Sequence, residues 1–183
     1  MRLRRDPESG ATMLEFAIAA PIVILLIVGL VEFGFGFIDL QTVASATTSG
    51  ARVGSAFGPD PDADQIIQDA VADALSDLRS SSEVLELWIY QSNEAGDVVD
   101  GTNAANKYVP AGGGAWTCNN GCPWDPGSRT TDLSSSIAAV NRDYLGVRVI
   151  FKHEWVTGLL PFAAPTWTDD GVVLLEPVVE NPA

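Results

Sequence analysis

A chain of 183 residues holds one domain and an accessory segment, and is too short for two large domains. Ten Lys and Arg against 24 Asp and Glu leave a formal charge of -14, which repels nucleic-acid phosphate and argues against a nucleic-acid partner or a domain lying on anionic lipid. A hydrophobic content of 46% beside so many carboxylates requires the apolar and acidic residues to be segregated along the chain. Residues 1–10 sum to +1, residues 11–40 to -3 and the remainder to -12. The chain reads as a short basic head, an apolar rod and an acidic body.

The rod begins at Ala11. From there to Val31 the sequence is ATMLEFAIAAPIVILLIVGLV, with Glu15 as its single charge. As a helix at roughly 1.5 Å per residue it spans about 30 Å, the hydrocarbon thickness of a bilayer. Pro21 is tolerable there, because membrane helices accept proline more readily than soluble ones. Arg2, Arg4 and Arg5 hold the N-terminus in the cytoplasm and send the acidic body outward. A core helix this long and uniformly apolar would need a larger protein around it. A cleaved signal peptide could use Ala44-Ser45-Ala46, but its apolar stretch would be too long. A carboxylate inside the span calls for a partner, and neither a signal peptide nor a plain anchor supplies one for Glu15.

The residues around Glu15 carry a resemblance. Gly10-Ala11-Thr12-Met13-Leu14-Glu15-Phe16 is similar to a type IV prepilin processing site: a charged leader ending in Gly, a Glu at the fifth mature position and an aromatic after it. Cleavage after Gly10 would free the Ala11 amine, and in such families the Glu pairs with the amine of a neighbouring subunit. Opposite charges about 4 Å apart attract by about 4 kcal/mol at an effective dielectric near 20. Glu15-Phe16-Ala17, Pro21, Gly29-Leu30-Val31-Glu32-Phe33-Gly34, Gln41-Thr42-Val43-Ala44 and Gly50-Ala51-Arg52 narrow the match. Residues 9–54 resemble the TadE-like family, pilin-like components of tight-adherence (Tad, or Flp) pilus systems. One departure is Phe35-Gly36-Phe37, where the family often has a basic residue.

The resemblance implies a prepilin peptidase, other pilin-like subunits and Tad inner-membrane assembly proteins as partners, alongside the bilayer. It also implies the organisation expected here: a leader at 1–10, a transmembrane helix at 11–38, a helix extension at 39–58 and an extracytoplasmic domain at 59–183.

In the extension, Ala44, Thr47, Thr48, Ala51 and Ser55 form a small-residue stripe, and Gly50, Gly54 and Gly58 add a spacing that lets backbones approach closely. The stripe suits packing against the protein's own sheet, or a helix–helix seam in a filament at another height. Phe57-Gly58-Pro59 stops the helix. Ile66, Ile67, Ala70, Val71, Ala74, Leu75 and Leu78 then mark an amphipathic helix, with Asp62 or Asp64 as its cap. Strands are expected over Val84–Tyr90, Tyr144–Trp155 and Val172–Leu175, and residues 91–135 are too irregular to assign. The fold class is α+β, a long N-terminal helix followed by a small domain with an antiparallel sheet.

Cys118-Asn119-Asn120-Gly121-Cys122 is good turn chemistry for a short structural disulfide, flanked by Trp116 and Trp124. No catalytic, cofactor or metal site is expected. His153 lies on the inward phase of a strand as a core or edge residue. Asp60, Asp62 and Asp64 open like a calcium loop but lack Gly at the sixth position and Glu at the twelfth. The reading is a non-catalytic minor pilin or pseudopilin; the alternative is a permanently anchored extracytoplasmic binding domain with a Trp-rich recognition loop.

Overall fold

The computed structural model describes residues 7–99, 101, 103–131, 143–160 and 162–176. Helix α1 runs unbroken over Pro7–Phe57, through Pro21. At 51 residues it is about 76 Å long, more than twice a bilayer core. It stops where Gly58-Pro59 follows, and the Asp60 N–H turns back to the Phe57 carbonyl at 2.8 Å. Helix α2 (Ala63–Ala74) lies against the C-terminal half of α1. Strands β1 (Glu83–Ser92), β2 (Ala105–Gly112), β3 (Ala115–Cys118), β4 (Tyr144–Lys152) and β5 (Thr166–Leu174) form one antiparallel sheet in the order β3-β2-β1-β4-β5. The architecture is α+β, as the sequence leads one to expect.

Both helices cover one face of the sheet. Val43 and Ala46 of α1 and Ile67 and Val71 of α2 meet Leu87, Ile89, Val147, Val149 and Phe151, all with no exposed surface. These strand residues are every second one along β1 and β4, with Trp88, Arg148 and Ile150 between them facing the other way, the period-two pattern of a sheet packed on one side. On the open face the register aligns Lys107, Trp88, Arg148 and Asp170 across four strands. The Lys107 ammonium sits 3.7 Å over the Trp88 ring, and Arg148 Nε donates to Asp170 at 2.6 Å. Tyr90 lies over Gly146, where a Cβ would come within 2.2 Å of its ring. Burial, with Asp170 beside it, pushes the Tyr90 hydroxyl up to about 12.

Several elements differ from expectation. Strand β4 ends at Lys152, three residues short of Trp155. Its pairing with β5 begins at Thr166, and His153 makes a last bond to the Pro165 carbonyl before the chain turns to α1. Strand β5 starts at Thr166, six residues before Val172, because Thr166-Trp167-Thr168-Asp169-Asp170 forms an edge strand whose outward residues need not be apolar. Strands β2 and β3 occupy the stretch left unassigned, joined through Gly112, Gly113 and Gly114, all at positive φ. Asp62 precedes α2 without a side-chain bond to it, while Asp64 turns inward to Arg129, Tyr108 and Asn106. Neither residue caps the helix through its side chain.

Candidate functional site

The chemistry-bearing surface is α1, and the structure divides it sharply. From Ala11 to Val31 nearly every side chain is exposed, including Met13, Leu14, Phe16, Ile18, Leu26 and Leu30. This stretch lies in a helix with a window of mean hydropathy 2.7, none of it buried, long and apolar enough to cross a membrane. Gly10 is exposed and an added Cβ there would meet nothing within 4 Å. A glycine inside a helix costs about 1 kcal/mol relative to alanine, so Gly10 lowers helix stability beside the expected cleavage site. Glu15 is also exposed, and no hydrogen bond or ion pair reaches it from the described residues.

The C-terminal half is fastened to the domain along one seam. Glu32, Gly36, Asp39, Val43, Ala46, Gly50, Gly54 and Gly58 are buried at spacings of three or four, which keeps one face of a helix inward. The small-residue face is therefore centred on the glycines: Thr47, Ala51 and Ser55 border it, Ala44 is half-buried and Thr48 exposed. A Cβ on Gly50 would come within 2.6 Å of Val71, one on Gly54 within 2.7 Å of Leu145, and one on Gly58 within 2.5 Å of Leu175. The close approach of these glycines is to the chain's own α2 and sheet.

Polar side chains punctuate the seam every second turn. Glu32 accepts the N–H of Val156 at 2.8 Å and both the N–H and hydroxyl of Thr157. Asp39 accepts from Ser82 at 2.6 Å and meets His153 Nδ1 at 2.7 Å and Arg79 Nε at 3.3 Å. Thr47 donates to Asp169, and Ser55 to the Leu174 carbonyl at 2.9 Å. Every one of these groups is buried on the helix side, so each bond both satisfies a polar atom and fixes the height of the domain on the helix. Arg79 also donates to the Phe35 carbonyl at 2.9 Å and stacks over the Phe35 ring at 4.0 Å. A guanidinium from the domain thus reaches the level where α1 itself has only Phe35-Gly36-Phe37.

Glu32 and Asp39 are the functional positions that sequence reasoning passed over. Two carboxylates seven residues apart on an otherwise apolar helix share a face, and that spacing was the available signal.

His153 is wholly buried just beyond β4, stacked on Trp167 at 5.2 Å between ring centroids. Ser82 Oγ stands 3.3 Å from the same Nδ1 that meets Asp39. A nucleophile and an acid on one nitrogen leave the other nitrogen without the serine a hydrolytic triad requires. The group joins α1, the α2–β1 connection and the end of β4.

Cys118 and Cys122 are joined in a disulfide with Cα atoms 6.0 Å apart. Trp124 beyond it is buried beneath the Arg129 guanidinium, with its backbone N–H and carbonyl both bonded to the Asn106 side chain. Trp116 is half-buried against the core. The aromatic pair around the disulfide serves packing. Among the described residues no group of His, Cys, Asp and Glu could hold a metal ion.

The chain is thus a helix with a bare apolar N-terminal half, long and apolar enough to cross a membrane, whose C-terminal half is locked to a small α+β head. The family model described as TadE-like protein matches residues 10–52, from the Gly10 position into the glycine seam. The match covers 43 of the 183 residues and leaves the head outside it. No curated protein and no solved structure matches the chain.

Proposed function

We propose that the protein is a minor pilin- or pseudopilin-like structural subunit of a tight-adherence pilus assembly system. A prepilin peptidase removes residues 1–10, α1 retains the subunit in the membrane with the head outside, and the same helix then enters the assembly beside other pilin-like subunits. The observation that carries this reading is the division of α1. Its outer half is buried in the chain's own domain, so only the bare segment around Ala11–Val31 is free to exchange lipid for other helices. Glu15 stands alone on that segment, five residues after Gly10. A carboxylate in lipid costs on the order of 2.5–3.5 kcal/mol at a helix centre and less near its end, so its presence favours a partner gained on assembly. The freed Ala11 amine of a neighbour is that partner. Charge pairing of this kind sets register, because sliding by one turn leaves both groups unpaired in hydrocarbon.

Glu15→Ala separates assembly from insertion. The variant should be inserted and processed as the native chain is, yet fail to co-purify with other pilus components or to restore surface pili. A variant that assembles as well as the native protein would sink the charge-pairing role.

A further inference from the structure

The loop that follows β4 presents an apolar surface that the head's own packing does not use. Val156 is 49% exposed, Leu159 61% and Phe162 66%. No charged residue occurs between Glu154 and Asp169, in a chain whose net charge is -14. The flanking Glu154 is neutralised by Lys152.

The loop is held in a defined shape. Trp155 Nε1 donates to the Phe162 carbonyl at 3.0 Å, closing its two ends, and Gly158 turns the chain at positive φ. Its height on α1 is fixed from the other side. Glu32 takes the N–H groups of Val156 and Thr157, and the Trp155 ring meets Phe33 edge-on at 5.9 Å. Glu32 is the first residue after the bilayer-length apolar stretch, and Leu30, Val31, Phe33 and Phe37 around it are exposed. The loop surface is therefore continuous with the outer end of the span. The Glu83, Lys152 and Thr166 ends of their strands lie at this same end of the sheet, while Ser92 and Tyr144 lie at the other.

We propose that this loop is a second membrane contact, with Val156, Leu159 and Phe162 seated in the outer interface of the bilayer that α1 crosses and Trp155 at its base. The partner is the acyl and glycerol region of lipid, engaged through apolar contact, since the loop offers no charge to headgroups. The contact holds the head at one tilt against the membrane until the subunit is withdrawn into an assembly. It rests on the reading of α1 as a membrane span.

Full-length chain in phosphatidylcholine vesicles tests both. With Cys118 and Cys122 closed as a disulfide, a single introduced thiol takes a nitroxide label in each of Leu159→Cys, Leu25→Cys and Glu94→Cys, all at exposed positions. Leu25 reports the interior of the span and Glu94 the far end of the sheet. Collisions with oxygen mark lipid, and collisions with a neutral nickel chelate mark water. The oxygen-to-nickel ratio at Leu159 should be severalfold higher than at Glu94 and lie below that at Leu25. A lipid value at Leu25 with a water value at Leu159 overturns the loop contact and leaves the span intact. Shielding of Leu159 from both reagents means that protein covers the loop, and also overturns it. A water value at Leu25 removes the membrane span and the proposal with it.

Discussion

Glu32 shows how one side chain decides where the head sits. Its two carboxylate oxygens collect two backbone N–H groups and a hydroxyl from a loop more than a hundred residues away in sequence. Replacing it by alanine leaves those donors facing an apolar helix, at the cost of hydrogen bonds to a charged group. Glu32→Ala should lower hydrogen-exchange protection of Val156 and Thr157 by a factor of roughly ten or more, with β1 and β4 protected as before. Unchanged protection in the loop would show that Glu32 does not hold it. Glycines along α1 make the complementary case. Gly54→Val places carbon where Leu145 and Ile67 already lie and should cost about 1–3 kcal/mol of stability in detergent. Gly34→Ala meets open space, so its unfolding midpoint should stay unchanged or rise slightly through helix propensity. Equal destabilisation by both would remove the distinction between the buried and the exposed face of the helix.

At the level of elements, the parts with an unbroken period were legible in the sequence. The rod was legible from its unbroken apolar length, while α2 and the alternation of Val147, Val149 and Phe151 bury apolar residues on one side, and that burial writes itself into spacing. Strands β2 and β3 did not, for a physical reason. Pro110 and three glycines sit among them, residues an interior strand avoids but one beside a short edge strand accepts. The first half of β5 escaped in the same way, as a polar edge. Among site residues, Glu15 and the cysteine pair stood out because their surroundings made them anomalous. The partners of Glu32 and Asp39 did not, since Thr157, Ser82 and His153 are distant in sequence and nothing local announces the contact. The β3–Trp124 loop supplies its own check. Intact mass under alkylation, with and without reductant, should differ by about 2 Da before alkyl addition, the two hydrogens lost in one disulfide. Two freely alkylated thiols in protein extracted under native conditions would refute the closed ring.

Across the whole molecule, charge and apolar surface are separated along one axis. The acidic head is anchored to the outer half of a helix about 76 Å long, and the inner half is left bare. A permanently anchored domain has no use for a carboxylate five residues past a glycine in that bare half. A subunit that trades lipid for neighbouring helices does, provided its leader is removed and the Ala11 amine freed. N-terminal sequencing of the protein recovered from membranes of cells that express the whole Tad system therefore bears most directly on the assignment. The account predicts Ala11 as the first residue, with the shortening abolished when Gly10 is replaced by a bulky side chain; a mature protein that still begins at Met1 in that setting would contradict it.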